Sequence, residues 1–499
     1  MLRRNLLQLL GGLSVGALAS PLFAKALPSQ QTDALSENAL RFAAARKNHP
    51  FLAGWESMAP IGTAQVSAAV SGKWPQGLRG TLLRNGPGLF ERGGQRYQHW
   101  FDGDGLLQSW QIGAAGITHQ SRFVNTEKFA RENRSGKFEV MAAGTTIPNA
   151  RALSGPDDAN TANTSVMHIA GKTYALWEAG SAYEIDPDSL ATIGTKVWRD
   201  DLDGAAFSAH PLYEKDGSLW NFGMFDSKLI VYQIGSDGAL KQAQLVQLPH
   251  GGYMHSFIAS ESKLVFVIAP LLPVRDAGSY FEGLGWKPEL GSLMVVLAKA
   301  DLSKPRFAEF ESGAAYHYAD AWDEVDGTLG LRGCWYGAGS GFVSPFSEYV
   351  QGYTALASPH SQELVEIRLA PGAKRAQLQK LGIGRVEFPV PTSLMQKSAN
   401  IYLQGHANHP NGGLSGILSL DKSGVKLGHF DFGDDFVLEE QLYVRAEGKR
   451  YTLGTIFNAK KARTGLVLMD LDRLADGPVA QAWLERALPL GFHGTFLPV

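Results

Sequence analysis

Four histidines carry the chemistry that this chain could do. They are His210 in Ser208-Ala209-His210-Pro211, His255 in Tyr253-Met254-His255-Ser256-Phe257, His317 in Ala315-Tyr316-His317-Tyr318, and His493 in Gly491-Phe492-His493-Gly494-Thr495. Imidazole is the commonest side-chain metal ligand. The four lie 45, 62 and 176 residues apart, each in a strand-like context. A zinc ribbon or a His-Glu-x-x-His helix keeps its ligands within one local unit, so no local motif accounts for this spacing. Histidines this far apart meet only where several similar sheets converge on one axis, as in a propeller. Spacing alone does not select these four from the 13 histidines present. A lone histidine on an apolar strand is more often a core residue than a ligand.

The elements around them are strands. Residues 33–47 read as one helix with Asp33 as its N-cap. Beyond residue 50 helical periodicity is scarce and short apolar runs follow one another, at Thr173–Trp177, Leu219–Met224, Leu229–Ile234, Leu264–Ile268, Leu293–Leu297, Tyr451–Ile456 and Leu466–Met469. Turn signals such as Asp216-Gly217, Asp237-Gly238 and Asp326-Gly327 separate them. Glycine is 57 of 499 residues, above the usual ~7%, which suits many tight turns. The pattern predicts one all-β domain and no βαβ array. No clean repeat fixes a blade number.

Composition narrows the partners. A net charge of -2, with no long basic cluster, argues against nucleic acid. The single cysteine, Cys334, excludes an intramolecular disulfide and reads as a small buried hydrophobe. At the N-terminus Arg3 and Arg4 precede an apolar run from Leu6 to Phe23 that ends at Ala24-Lys25-Ala26. A charged start, an apolar run and a small-x-small end make a cleavable export signal over residues 1–26, and the paired arginines suit the twin-arginine route. The expectation is a periplasmic mature domain over residues 27–499.

Several strings resemble the carotenoid cleavage oxygenase family. They are Arg84-Asn85-Gly86-Pro87, His99-Trp100-Phe101-Asp102-Gly103-Asp104-Gly105, Asn160-Thr161-Ala162-Asn163-Thr164, Ala175-Leu176-Trp177-Glu178-Ala179-Gly180, the four histidine contexts, and the closing Gly491 to Pro498. Together they cover roughly residues 48–499, and their order and joint presence make the signal specific. The resemblance implies a seven-bladed β-propeller with the metal on its axis and a loop and helical cap over that face. It implies one Fe(II) per chain, held by His210, His255, His317 and His493. Four neutral imidazoles would leave the iron at +2, with two positions open for oxygen and water.

Ligating histidines need their other ring N–H held, usually by a carboxylate. By resemblance Glu178 orients His255, Glu387 orients His317 and Glu440 orients His493, while His210 has no glutamate. Glu439 is an alternative to Glu440, since a one-residue slip would exchange them. Thr164 matches a threonine that restricts one open position beside the iron. Pocket candidates are Phe123, Trp177 and Phe257. Asp102-Gly103-Asp104-Gly105 lacks the further ligands of a calcium loop and reads as a turn in the first blade. His406 and His409 sit in a polar loop where a second metal is a minor alternative.

The resemblance implies a non-haem iron(II) dioxygenase that cleaves a conjugated C=C bond of a carotenoid or apocarotenoid with O2, giving two carbonyl products. An alternative is cleavage of a phenolic stilbene or lignin-type olefin. Stilbene cleavers place a tyrosine and a lysine against the phenol, and the matching positions here are Phe123 and Trp177. A metal-free propeller that binds lipids or partners is the third reading; it would be favoured if any of the four histidines were missing, and none is. Segment 270–286, with Leu271, Leu272, Val274, Tyr280, Phe281, Leu284 and Trp286, is expected at the tunnel mouth, where it could touch a membrane surface.

Overall fold

The computed structural model describes residues 30–274, 278–337, 342–356, 362–390, 399–405 and 409–499. The proposed export segment and His406 lie outside them. Seven antiparallel sheets of four or five main strands are arranged as the blades of a propeller. Blade 2 runs from Ser165–Ile169 to Thr192–Thr195, blade 3 from Leu212–Tyr213 to Leu240–Gln247, and blade 4 from Ile258–Ala259 to Asp301–Phe310. Blade 5 runs from Ala314–Asp323 to Gln377–Lys380, blade 6 from Val386–Val390 to Lys426–Asp431, and blade 7 from Phe436–Ala446 to Pro478–Trp483.

The two ends of the chain close the ring. Gly494–Pro498 pairs with Gly80–Arg84 in blade 1, beside Asp104–Gly113, Gly116–Phe123 and Thr63–Ser67. Ala69–Gly72 instead pairs with Pro478–Trp483 and becomes the fifth strand of blade 7. One short N-terminal stretch thus bridges blades 1 and 7, and the C-terminal strand completes blade 1. No edge is left at the seam, where an open sheet would expose a row of unpaired backbone groups.

Each pair of neighbouring blades has its own apolar cluster. Blades 2 and 3 share Met167, Leu176, Leu219 and Ile234, and blades 3 and 4 share Phe222, Val231, Phe266 and Val295. Blades 7 and 1 share Leu453, Leu466, Leu82 and Trp110. Alternation along the strands explains this, because successive side chains face opposite neighbours and both faces are covered. Cys334 is buried between blades 5 and 6, beside Tyr402 and Leu418.

The N-terminal helix spans Gln30–Arg46, so Asp33 falls inside it and is not its cap. Its Phe42 ring lies under the Arg96 guanidinium at 3.4 Å. With Pro50–Trp55, Trp100–Asp102, Tyr280–Gly283 and Ser347–Val350 it belongs to the cap. Tryptophan and phenylalanine side chains of these short pieces line the cavity below them. Among the described residues no helix is long and apolar enough to cross a membrane.

Candidate metal centre

All seven blades contribute one residue each to the axis. His493 enters blade 1, and His210, His255 and His317 stand at the first strands of blades 3, 4 and 5. Glu178 comes from blade 2, Glu387 from blade 6 and Glu440 from blade 7. The four imidazoles converge so that one ligand atom from each lies within 4.8 Å of all the others. Nε2 of His210 is 2.7 Å from Nε2 of His255, and Nε2 of His317 is 3.2 Å from Nε2 of His493.

The glutamates fix the tautomers. His317 Nδ1 donates to Glu387 Oε2 at 2.6 Å, His493 Nδ1 donates to Glu440 Oε1 at 2.8 Å, and His255 Nδ1 donates to Glu178 Oε1. An imidazole that carries its proton on Nδ1 presents a bare lone pair at Nε2. The lone pairs therefore face one another across the axis, an arrangement that a central cation relieves. Burial first, then the neighbouring imidazoles, hold His210 well below the usual histidine range. Burial also pushes His493 down to about 4, against the pull of Glu440. Both are neutral donors at pH 7, so the residues fit a divalent ion. The four-histidine group has the donor set and geometry to hold a metal ion.

Irregular backbone aims these side chains. The strand register shifts between Ala315 and Tyr318, between Glu387 and Val390, and between Leu438 and Gln441. These are the positions of His317, Glu387 and Glu440, and bulges re-aim side chains in this way. Phe388 has φ 49°, an uncommon conformation for a bulky residue, and its ring stacks on His317 with centroids 5.1 Å apart. Burial raises the Glu440 carboxyl, but the His493 ring, Arg84 and the Gly494 N–H outweigh it and hold the group below its ordinary value. Glu439 faces elsewhere: it accepts from Gly491 N at 2.5 Å and pairs with Arg84 at 3.4 Å. The structure thus gives the His493 contact to Glu440.

The sequence strings meet behind the site. Asn85 Nδ2 donates to the carbonyls of Ala162 and Ser165, its N–H to His493 O, and its own carbonyl accepts from Phe492 N. A Cβ on Gly86 would sit 2.3 Å from Cα of Gly491, so only glycine allows this approach. Thr164 is buried at the cavity wall, with Oγ1 donating to Asn163 Oδ1 at 3.1 Å.

The sequence matches the profile of the retinal pigment epithelial membrane protein family over residues 57–498. The chain belongs to this family, that of the carotenoid cleavage oxygenases. It is 26% identical to apocarotenoid-15,15'-oxygenase of Synechocystis sp., over 86% of this chain and 92% of that protein. It is 24% identical to isoeugenol monooxygenase of Pseudomonas nitroreducens, over 91% and 98%. It is 25% identical to carotenoid 9,10(9',10')-cleavage dioxygenase 1 of Phaseolus vulgaris, over 86% of each. Among solved structures, a variant of Synechocystis apocarotenoid oxygenase superposes with a TM-score of 0.77 at 23% identity, covering 90% of this chain and 98% of that one. A cobalt-substituted form gives the same TM-score, identity and coverage.

Within this oxygenase fold, two of the three pocket candidates are corrections. Trp177 lines the cavity beside Glu178. Phe123 does not: it stacks on Phe129 at 5.1 Å, in a core cluster with Leu89 and Leu106. Phe257 stacks on Phe266 at 5.0 Å in the core between blades 3 and 4. Phe123 faces the helix Glu127–Ser135 and Phe257, just before Ile258–Ala259, faces the contact between blades 3 and 4, and adjacency to a motif says nothing about face. The use of Phe123 to argue against a phenolic substrate falls with it. His409 accepts from Asn411 N and Gly413 N and bonds Phe436 O, so its ring is held by backbone. Asp104 and Asp102 are buried and partnered, by Arg92 and Lys128 in one case and by Thr145 and Gly144 N in the other.

Sequence reasoning missed a ring of phenols. The Tyr253 hydroxyl donates to Glu178 at 3.2 Å, that of Tyr336 donates to Glu387 at 3.3 Å, and that of Tyr316 donates to Phe342 O. Burial first, then the nearby carboxylates, raise all three well above the ordinary tyrosine value, so they remain neutral donors. Tyr253 stands two residues before His255, a spacing that shares a strand face. Tyr336 carries no such local signal.

Proposed function

We propose that this chain is a non-haem iron(II) dioxygenase that cleaves a conjugated C=C bond of a carotenoid or apocarotenoid to carbonyl products. The convergence of four imidazoles, three of them backed by carboxylates, on one point beside an aromatic cavity carries this reading. The oxygenase and dioxygenase relatives support it. All-imidazole ligation suits ferrous iron. Bound there, iron would supply the activation of O2 for addition across the double bond.

The remaining roles belong to the chain. Glu178, Glu387 and Glu440 keep His255, His317 and His493 oriented and offset the charge of a dication. Thr164 narrows the space beside the histidines on the blade 2 side. Trp177, Phe101, Phe281 and Phe492 wall the cavity with ring faces, which exclude water and stabilise positive charge developing on a polyene. The fixed walls hold one double bond in near-attack geometry.

A second reading, cleavage of a phenolic olefin, is favoured by the isoeugenol monooxygenase relatives, which match nearly end to end. Anaerobic iron loading followed by O2 and either an apocarotenal or a hydroxystilbene separates the two. Loss of the conjugated absorbance with the apocarotenal and matching product masses is expected. Cleavage of the stilbene alone would transfer the assignment to the second reading.

The cavity mouth fits transient contact with a membrane surface. In segment 270–286, Val274 and Tyr280 are exposed, whereas Leu271 is buried. For residues 1–26 the reading is twin-arginine export to the periplasm. Arg3→Lys with Arg4→Lys should block delivery, and unaffected delivery would refute that route.

A further inference from the structure

The cavity holds a half-buried cation that, among the described residues, makes no salt bridge. Arg385 lines the same cavity as the histidines. Its Nη1 donates to Gly413 O at 3.3 Å and its Nη2 to Gly412 O, while its Nε is buried and has no partner among the described residues. The fully buried cations are paired: Arg84 with Glu439 and Glu440, Arg92 with Asp104, Arg96 with Glu91, and Lys128 with Asp104 and Glu132. Burying a cation without an ion pair is costly, and such a group is stabilised by any acceptor that enters.

A second orphan lines the same cavity. Gln362 is buried, directly opposite Tyr336 in the strand register, and its Oε1 has no partner among the described residues. Turned over, the amide offers its NH2 to the same space. The Tyr336 hydroxyl bonds Glu387, two residues from Arg385, so this polar corner lies on the His317 side of the cavity. Trp55, Trp100, Phe101, Phe281 and Phe346 make much of the remaining lining apolar.

We propose that Arg385, with Gln362 beside it, binds an acceptor oxygen at the polar end of the substrate, a carbonyl, carboxylate or phenolate. The apolar remainder then lies along the aromatic walls, which fixes the direction in which the substrate enters. The assignment rests on the reading of this cavity as a substrate site. A guanidinium fork suits a carboxylate better than a single point charge would.

Quenching of tryptophan fluorescence under anaerobic conditions reads binding without turnover. The probes are an apocarotenoic acid, an apocarotenal and the matching hydrocarbon, with a hydroxystilbene and plain stilbene as a second set. Arg385→Met should raise Kd for the oxygen-bearing polyenes about tenfold to a hundredfold, the range for hydrogen bonds to charged groups. Binding of the hydrocarbon should stay within about twofold, since it makes no hydrogen bond to lose. Arg385→Lys should rescue part of the acid binding. Selective loss within the stilbene pair alone would assign the oxygen to a phenol.

Arg385 also holds Gly412 and Gly413, so Gln362→Leu, which breaks no hydrogen bond, provides the second variant. It should weaken the same probes selectively by a smaller factor. Equal weakening of every probe, or of none, overturns the assignment. Selective binding by the wild-type protein together with no cleavage of any olefin would refute the dioxygenase reading and leave Arg385 assigned.

Discussion

Under the first blade, Arg92, Lys128, Asp104 and Glu132 are buried side by side, and on the propeller axis four histidines and three glutamates are gathered as tightly. The first group is complete. Lys128 Nζ lies 2.9 Å from Asp104, from Glu132 and from the Tyr97 hydroxyl, and Arg92 lies 2.6 Å from Asp104. Two cations face two carboxylates, and Glu132 further accepts from the backbone of Glu139 and Val140. The second group is incomplete. Its carboxylates sit behind the imidazoles, and its lone pairs meet at a centre that holds no side chain. A self-neutralising network supports the fold, whereas an uncompensated one waits for a ligand. The same distinction separates the half-buried Arg385 from the fully buried cations.

The sharpest break of this comparison is His317→Ala. Metal measured per chain by atomic emission should fall to near zero and oxygen-dependent cleavage to background, with the thermal transition little changed. A full equivalent of retained metal would show that the axis does not work as a unit. Lys128→Met tests the other group. Breaking a buried pair from one side costs about 3–5 kcal/mol, so urea unfolding should shift strongly while metal content stays near one. Loss of metal without loss of stability would reverse the two roles.

Glu387→Gln and Glu440→Gln keep shape and remove charge. Metal affinity should fall roughly 10–100-fold in each, the usual cost of losing an outer partner of a ligating histidine. Glu439→Gln should leave affinity nearly unchanged, because it contacts Arg84 and Gly491 instead. Equal effects at 439 and 440 would erase that distinction. Acid titration of the metal-free protein sharpens it further. His493 has its folded pKa lowered from 6.5 to about 4, and His210 is lowered as well. The unfolded chain then binds protons that the folded chain refuses, so stability is constant above pH 6.5 and falls as pH drops toward about 4. Urea midpoints of the metal-free protein at pH 7.5 and 5.5 should differ in that direction. The smallest effect concerns the two aromatic positions. Phe257→Leu should cost about 1 kcal/mol of stability without changing which substrates are accepted. Trp177→Leu should change acceptance with little stability loss, and substrate acceptance assays on both variants check this.

Much of the ring was legible because strands alternate. Apolar runs such as Leu264–Ile268 and Leu293–Leu297 are buried strands within a residue of their expected ends. The ligands were legible only through motif resemblance, since nothing local distinguishes His317 from His119, a buried histidine packed edge-on against Trp110. Phe123 and Phe257 failed for a related reason. A residue beside a motif has even odds of facing either side of its strand, and bulges near the axis change the count.

The sequence by itself determined the all-β class, the absence of a disulfide and, by resemblance, the set of four histidines with their glutamates. These depend on residue type and order. Tertiary structure decided which of Glu439 and Glu440 meets His493, which aromatics wall the cavity, and that each of seven blades sends one side chain to the axis. Those outcomes depend on register shifts at His317, Glu387 and Glu440 and on the approach of blades far apart in the chain. It also decided that Arg385 lines the cavity without a salt bridge among the described residues, because compensation of a charge is a property of what surrounds it in space.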